Sequence, residues 1–474
     1  MKTHLYQNLA QELEQSILNG VILVGEKLPS VRLLSREKAL SASTVFQAYY
    51  HLEAKGLVEA RDRSGYYVAY RSAQRKPLKN NTNIAPPDIR QLDTRTMIKQ
   101  LEGVRSQADI QKLSMAVPDP TYLPAARLSK CMQDALRQYR DESLQYAPPA
   151  GILALRRLIS AQLLSWWPSG RPEDVLITQG AMEGLSLCLR ALCKRGEVIA
   201  MDELSYFGVH QLVEQLGLQV VPIPQGGDEG LDLDYLDQVL KQFPIKACLF
   251  VPTFHNPTGS SLSETKKQAL VELLCQRRIP LIEDDVYGEL YFGKKRPLPC
   301  KHYDKEGWVL YCSSFSKTLA PGYRVGYCMG GRFHEELLWE KRIHSHSSST
   351  LPQLCLARFL EIGRYRAHLN KLRANLHTNM LKYGQLFLDA FPEQVRFLSP
   401  QGGMVYWIQM PEKLDARILF GQAQAEGIVI SPGPIFASRP GFEHCFRLSF
   451  SSPIDPTIEI AIDKLGRMIA NLLI

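Results

Sequence analysis

Lys317 closes an apolar run in Ser313-Ser314-Phe315-Ser316-Lys317, and Arg324 stands seven residues further on in Pro321-Gly322-Tyr323-Arg324-Val325-Gly326. A lone lysine is most often a solvated surface residue. These neighbours suit another use, because an amine can bond a cofactor aldehyde while hydroxyls and a guanidinium hold a phosphate dianion. Ser314, Ser316 and Arg324 have those types. Upstream, Thr178-Gln179-Gly180-Ala181-Met182-Glu183 falls between a predicted strand and a predicted helix. The backbone N–H groups of Gly180, Ala181 and Met182 can then face a phosphate at a helix N-terminus. An aldehyde with a phosphate is the description of pyridoxal phosphate (PLP).

Two further motifs carry the remaining parts. Asn256-Pro257-Thr258-Gly259 follows one apolar run, and Glu283-Asp284-Asp285-Val286-Tyr287 follows another. A carboxylate against a pyridine nitrogen keeps it protonated, and Asp284 suits that task. Asn256 and Tyr287 can hydrogen-bond a phenolic oxygen on the ring, and Tyr206 in Asp202-Glu203-Leu204-Ser205-Tyr206 can stack on its face. In isolation Asp284 reads equally well as a helix cap and Asp285 as its solvated neighbour. Four motifs in register argue for the site.

Short branched runs that alternate with helical stretches must position these residues: Val198 to Met201, Val220 to Pro224, Ala247 to Val251, Pro280 to Ile282 and Val309 to Ser314. That alternation predicts an α/β sheet, largely parallel, with helices on both faces and ligands at the strand C-termini. A helical stretch from Glu361 to Phe391, then strands near Val405 to Met410 and Phe446 to Phe450, predicts a C-terminal α+β subdomain. This body occupies residues 113–474. Residues 71–112 read as a polar, proline-bearing linker with one helix from Thr94 to Val104.

Residues 1–70 follow a different pattern. Leu9, Leu13 and Ile17 predict a first helix from Tyr6 to Asn19, stopped at Gly20. Ser30 caps a second helix that runs to Lys38 with Val31, Leu33 and Leu34 inward. A third helix starts near Ser41 or Ser43 and ends at Gly56. Val45, Tyr49 and Leu52 face inward on it, and Ser43, Thr44 and Gln47 point out. Leu57 to Ala60 and Tyr66 to Tyr70 predict a hairpin whose tip, Arg61-Asp62-Arg63-Ser64-Gly65, is basic. Residues 1–80 hold 12 Lys and Arg against 7 Asp and Glu, so most of the +8 net charge is concentrated here. A basic three-helix unit with a hairpin wing points to DNA; the alternative is a packing or dimerisation module.

Leu28-Pro29-Ser30-Val31-Arg32, Ser43-Thr44-Val45, Ala48-Tyr49, Leu52, Gly56 and Ser64-Gly65-Tyr66-Tyr67-Val68 resemble the winged helix-turn-helix (α+β) of GntR-type bacterial repressors. The resemblance implies that Ser30 and Arg32 hold DNA phosphates, that Ser43, Thr44 and Gln47 face the major groove, and that Arg63 and Gly65 belong to the wing. Ala42 stands where that family often has an arginine, which removes a guanine-reading group.

Residues 113–474 resemble the α/β fold-type I, PLP-dependent aminotransferases of class I/II. By that resemblance Lys317 bonds the cofactor, Asp284 partners the pyridinium, and Asn256 and Tyr287 hold the phenolate. Ser314, Ser316, Arg324 and the Gly180 turn bind phosphate. Tyr146, before Ala147-Pro148-Pro149-Ala150-Gly151, resembles the tyrosine that reaches the phosphate of a neighbouring subunit. Arg447 in Phe446-Arg447-Leu448-Ser449 resembles the arginine that grips an α-carboxylate in two-pronged fashion.

Head and body together resemble the MocR subfamily of PLP-dependent transcriptional regulators. That resemblance implies double-stranded operator DNA and an amine or amino-acid effector as partners, a homodimer, and a body in which transamination is often weak or absent. The alternatives are a working aminotransferase with an accessory DNA-binding domain, and a DNA-binding scaffold with an unresponsive PLP site.

Composition narrows the rest. At 474 residues, 45% hydrophobic and 22% charged, the chain is neither disordered nor fibrous. No apolar run reaches the roughly 20 residues of a bilayer span and no secretory segment opens the sequence, so a cytoplasmic protein without membrane contact is expected. The ten cysteines include no CxxC pair or zinc-spaced cluster, so reduced thiols and no metal are expected.

Overall fold

Leu9, Leu13 and Ile17 are buried on one face of α1 (Leu5–Leu18), against Leu34 of α2 (Val31–Glu37) and Val45, Ala48, Tyr49 and Leu52 of α3 (Ala42–Ala54). In this computed structural model the described residues are 5–18, 21–22, 26–61, 64–69, 86–90, 92, 113–225 and 230–474. Ser30 accepts from Leu33 N at 3.2 Å and Ser41 from Thr44 N at 3.1 Å, so each caps the following helix. Leu33 departs from expectation and is 49% exposed. Positions 31, 33 and 34 span too wide an arc for one stripe, and Leu34 takes the inward place. Gly56 ends α3 at φ +70°, a conformation that suits glycine. Strands β1 (Val58–Arg61) and β2 (Gly65–Val68) pair antiparallel, with Arg61 opposite Gly65. Gly20, Arg63 and the Thr94 to Val104 helix lie outside the described residues.

The body is built on a sheet of seven strands: β3 (Leu176–Thr178), β4 (Val198–Asp202), β5 (Gln219–Ile223), β6 (Ile245–Phe250), β7 (Leu281–Asp284), β8 (Val309–Ser314) and β9 (Gly326–Met329). Their spatial order is β3-β9-β8-β7-β6-β4-β5, and β4 to β8 are parallel. Strand β3 is the strand expected ahead of the Gly180 turn, whereas β9, which runs antiparallel to both its neighbours, has no counterpart among the predicted strands. Period-two alternation sends Ile199 and Met201 into one apolar layer and Val198 and Ala200 into the other, so helices cover both faces. Part of the stretch expected to be a linker packs on this sheet. Arg90 exchanges backbone hydrogen bonds of 2.8 and 2.9 Å with Val220, on the edge strand β5, and Leu92 is buried beneath it. Capping an edge strand satisfies its otherwise unpaired backbone groups.

A second, four-stranded antiparallel sheet follows: β10 (Arg396–Phe397), β11 (Val405–Gln409), β12 (Ser431–Pro432) and β13 (Cys445–Ser449) in the order β10-β11-β13-β12. The long helix Tyr365–Ala390 and the helix Pro456–Leu473 pack on it through Leu376, Tyr383, Phe387, Ile462 and Leu465. None of the described helices is long and apolar enough to cross a membrane. All ten cysteines are free thiols, and eight are buried.

Candidate functional site

Strands β4, β6, β7 and β8 end around one cavity of about 250 Å³. Its walls bring together Ala181, Met182, Tyr206, Asn256, Asp284, Tyr287, Ser314, Ser316, Lys317, Arg324 and Arg447, residues spread over more than half the chain. Parallel strands put their C-termini on one edge, which is why motifs far apart in sequence converge.

Lys317 is half-buried and its Nζ donates to the carbonyl of Ala116 at 2.7 Å. Burial, reinforced by the Arg447 and Arg324 guanidinium groups, lowers its pKa to about 8, against the pull of Asp284. Asp284 accepts from Val286 N at 3.3 Å. Desolvation, with a smaller push from Asp285, raises its pKa to about 7. Both groups are therefore displaced from their ordinary ranges toward neutral pH, a displacement that clusters at functional sites.

Opposite them, Arg324 donates from Nη1 to Ser316 Oγ and from Nη2 to Gln179 O, both at 3.2 Å. Gly180 caps the helix Ala181–Leu192 at φ +78°, and a Cβ there would collide with the Arg324 guanidinium. Arg324, Ser314, Ser316 and the first amides of that helix thus form one anion cradle.

The third wall is a polar chain. Arg447, 2% exposed on β13, donates from Nη1 to Asn256 Oδ1 at 2.6 Å, from Nη2 to Ser431 Oγ at 3.3 Å, and to the Ser114 carbonyl. Its guanidinium lies 4.8 Å over Phe436. Asn256 Nδ2 in turn approaches the Tyr287 hydroxyl at 3.5 Å, and burial raises the pKa of that hydroxyl above the ordinary phenol value.

Sequence reasoning missed Ser114 and Ala116, whose carbonyls hold Arg447 and Lys317, because backbone acceptors have no residue-type signal. It also offered a solvated Asp285 as one reading. Asp285 is 2% exposed, accepts from the Tyr311 hydroxyl at 2.7 Å, and pairs with Arg296. The run of three acids made a solvated face plausible, and the arginine that offsets burial lies eleven residues away. Tyr146 does not reach this chain's cavity: it is 85% exposed and sits edge-on to His346 at 5.3 Å.

On the head, Ser30, Arg32, Ser43, Gln47 and Gly65 are exposed and Thr44 is half-buried. Ser43 and Thr44 share the Ser41 hydroxyl at 2.9 and 2.7 Å, which fixes the start of α3. Arg61 lies 4.4 Å over Tyr67 in the hairpin and is paired with Glu59 at 2.8 Å.

A winged helix ahead of a doubly covered sheet, with lysine, carboxylate and anion cradle at its strand ends, defines a helix-turn-helix protein with a fold-type I transferase body. Comparison with known proteins agrees. The model described as aminotransferase class I and II matches residues 110–465, and that of bacterial regulatory proteins, gntR family, matches residues 5–68. YjiR of Escherichia coli, described as an uncharacterized HTH-type transcriptional regulator, is 35% identical over 470 residues, covering 98% of both chains. The α-aminoadipate aminotransferase LysN of Thermus thermophilus, solved with N-(5'-phosphopyridoxyl)-L-leucine, is 28% identical. It superposes with a TM-score of 0.74 over 79% of this chain and 95% of its own. The kynurenine aminotransferase of Pyrococcus horikoshii gives a TM-score of 0.76 at 26% identity, over 81% of this chain and 96% of its own. The chain belongs to the aminotransferase class I and II family and carries a gntR-family head, the MocR-like arrangement.

Proposed function

We propose that this chain is a DNA-binding transcriptional regulator whose body holds PLP and responds to an amine or amino acid. The observation that supports this most directly is the convergence of Lys317, Asp284 and the Arg324 cradle on one cavity in a chain with a DNA-reading head. The residues fit the cofactor. Gly180 leaves room beside Arg324 that any Cβ would fill, and Lys317, with its pKa lowered to about 8, has a far larger neutral fraction near physiological pH than an ordinary lysine. Bound PLP supplies an aldehyde for an amine and a ring that accepts electrons.

The chain's own groups then divide the work. Arg324, Ser314, Ser316 and the amides of Gly180, Ala181 and Met182 hold the phosphate. Asp284 faces the ring nitrogen and keeps its proton in place. Asn256 and Tyr287 hold the phenolic oxygen, and Tyr206 covers the ring face. Arg447 presents its guanidinium to the carboxylate of an amino-acid effector, and Asn256 relays that contact to Tyr287. An effector amine that takes the place of Lys317 gains an interaction absent from the resting state, and that difference can bias the head. Leu144 and Tyr146, 86% and 85% exposed, support self-association into a homodimer in which Tyr146 serves the partner's site.

On the head, Ser30 and Arg32 contact phosphates, Ser43, Thr44 and Gln47 read the major groove, and Arg63 and Gly65 form the wing. A working aminotransferase is the second reading, favoured by the full set of polar groups in the cavity. The test is reconstitution of the purified chain with PLP. Visible absorbance and, after borohydride, added mass on Lys317 are expected, with both lost in Lys317→Ala. Selective retention of a promoter fragment, altered by PLP or an amine, supports the regulator. Steady turnover of an amino donor and a keto acceptor without DNA selectivity supports the enzyme instead.

A further inference from the structure

The head meets the small subdomain at a buried junction that the cofactor site does not use. Glu14, on α1 and 6% exposed, receives Lys55 Nζ at 2.6 Å on one carboxylate oxygen and has His377 Nδ1 at 3.6 Å from the other. The second distance exceeds a hydrogen bond. Burial lowers the His377 pKa to about 4, so the imidazole is neutral and acts as a flat packing ring. That ring stacks on Phe292, with centroids 5.0 Å apart and planes 16° from parallel. Gly56, at the end of α3, sits against the Lys382 side chain on the same long helix. Head residues such as Leu9 and Leu13 and subdomain residues such as Leu372 and Leu376 belong to one apolar cluster.

Phe292 lies five residues after Tyr287, which lines the cavity. The segment between them is held along its length. Leu290 N donates to Tyr287 O at 2.8 Å, and Phe292 N donates to Gln401 O at 3.0 Å. Arg373, one turn before His377 on the long helix, donates to Glu289 O at 3.1 Å and covers the Tyr291 ring at 4.2 Å. A short tethered segment with no slack therefore joins the cavity wall to the ring beneath Glu14. Glu14 also grips Lys55, at the far end of the reading helix, while Ser43 and Gln47 at its near end stay exposed. The junction sets the orientation of that helix without covering the face that reads DNA.

We infer that the Phe292–His377–Glu14 junction is the interface through which the cavity and the head are coupled. The inference rests on the PLP reading: occupancy that repositions Tyr287 changes how Phe292 meets His377, and with it the hold of Glu14 and Lys55 on α1 and α3. A contiguous set of contacts alone is associational, so a coupling measurement is needed.

The experiment is hydrogen exchange on the full chain with and without PLP, for wild type, Phe292→Ala and Glu14→Gln, with visible absorbance recorded in parallel. In wild type, PLP is expected to change exchange of the α1 and α3 amides by about fivefold or more, the low end of ordinary coupling. In both variants the change falls below about twofold while the absorbance of bound PLP is retained. Should Phe292→Ala fail to fold, the isosteric Glu14→Gln decides alone. The inference is overturned if the variants respond as wild type does, or if the wild-type head is indifferent to bound PLP. If wild type acquires no visible absorbance, the cofactor reading itself fails and the coupling fails with it.

Discussion

Asp284→Asn should stabilise the PLP-free protein and weaken its hold on PLP, two effects of opposite sign from one uncharged substitution. The carboxyl lies on the cavity wall with its pKa raised from 3.8 to about 7, first by desolvation and then by Asp285. An acid with a raised folded-state pKa contributes its full stability below the unfolded pKa, and that contribution is lost as pH rises toward the folded value. A rise of that size corresponds to roughly 4 kcal/mol, and solvent entering the cavity screens it to about 2 kcal/mol. Asparagine keeps the acceptor for Val286 N and has no charge to desolvate. The stability gap between variant and wild type should therefore be small near about pH 3, widen by about 2 kcal/mol by about pH 7.5, and stay level above it. Urea denaturation of the PLP-free proteins across that range measures the gap. In the same variant a charge-assisted hydrogen bond to the cofactor ring is lost, costing about 1.5–3 kcal/mol, or roughly ten- to hundredfold in PLP affinity by absorbance titration. A gap independent of pH, or a variant less stable than wild type at the alkaline end of the range, would refute the desolvation argument.

Gly180→Ala combines a strained backbone at φ +78° with a collision at Arg324, so PLP affinity should fall by about tenfold or more, measured by absorbance titration. Leu52 is fully buried in the head, and Leu52→Ala should cost about 2–5 kcal/mol and abolish DNA retention while leaving PLP absorbance intact. Arg32→Ala should weaken DNA binding uniformly across sequences and reduce the slope of log affinity against log salt by about 1, whereas Gln47→Ala should alter which fragments are selected. Gel retardation over a salt series separates the two, and an Arg32 effect confined to particular sequences would contradict a phosphate contact.

The legible part of the site was the part that chemistry restricts to few residue types at local spacing. An amine, a carboxylate, a guanidinium and hydroxyls at strand ends announce themselves, and the cavity does contain Lys317, Asp284, Arg324, Ser314 and Ser316. Caps were legible for the same reason, as Ser30 shows, because a hydroxyl serves an amide only three residues away. Leu33 was misplaced because three apolar positions in four exceed the width of one helical stripe, and only packing decides which turn outward.

By itself the sequence determined the division into a basic winged helix and an α/β body, and the identity of many of the polar side chains that face the cavity. Periodicity, turn chemistry and side-chain type all act over a few residues, where order along the chain and proximity in space coincide. Tertiary structure alone decided that Arg447 anchors Asn256, that the Ala116 carbonyl receives Lys317, that Arg296 offsets buried Asp285, and that Glu14 is held between Lys55 and His377. Those contacts join residues separated by eleven to more than three hundred positions, and what selects them is the desolvation of each charge together with the close packing around it, neither of which leaves a local pattern in the chain.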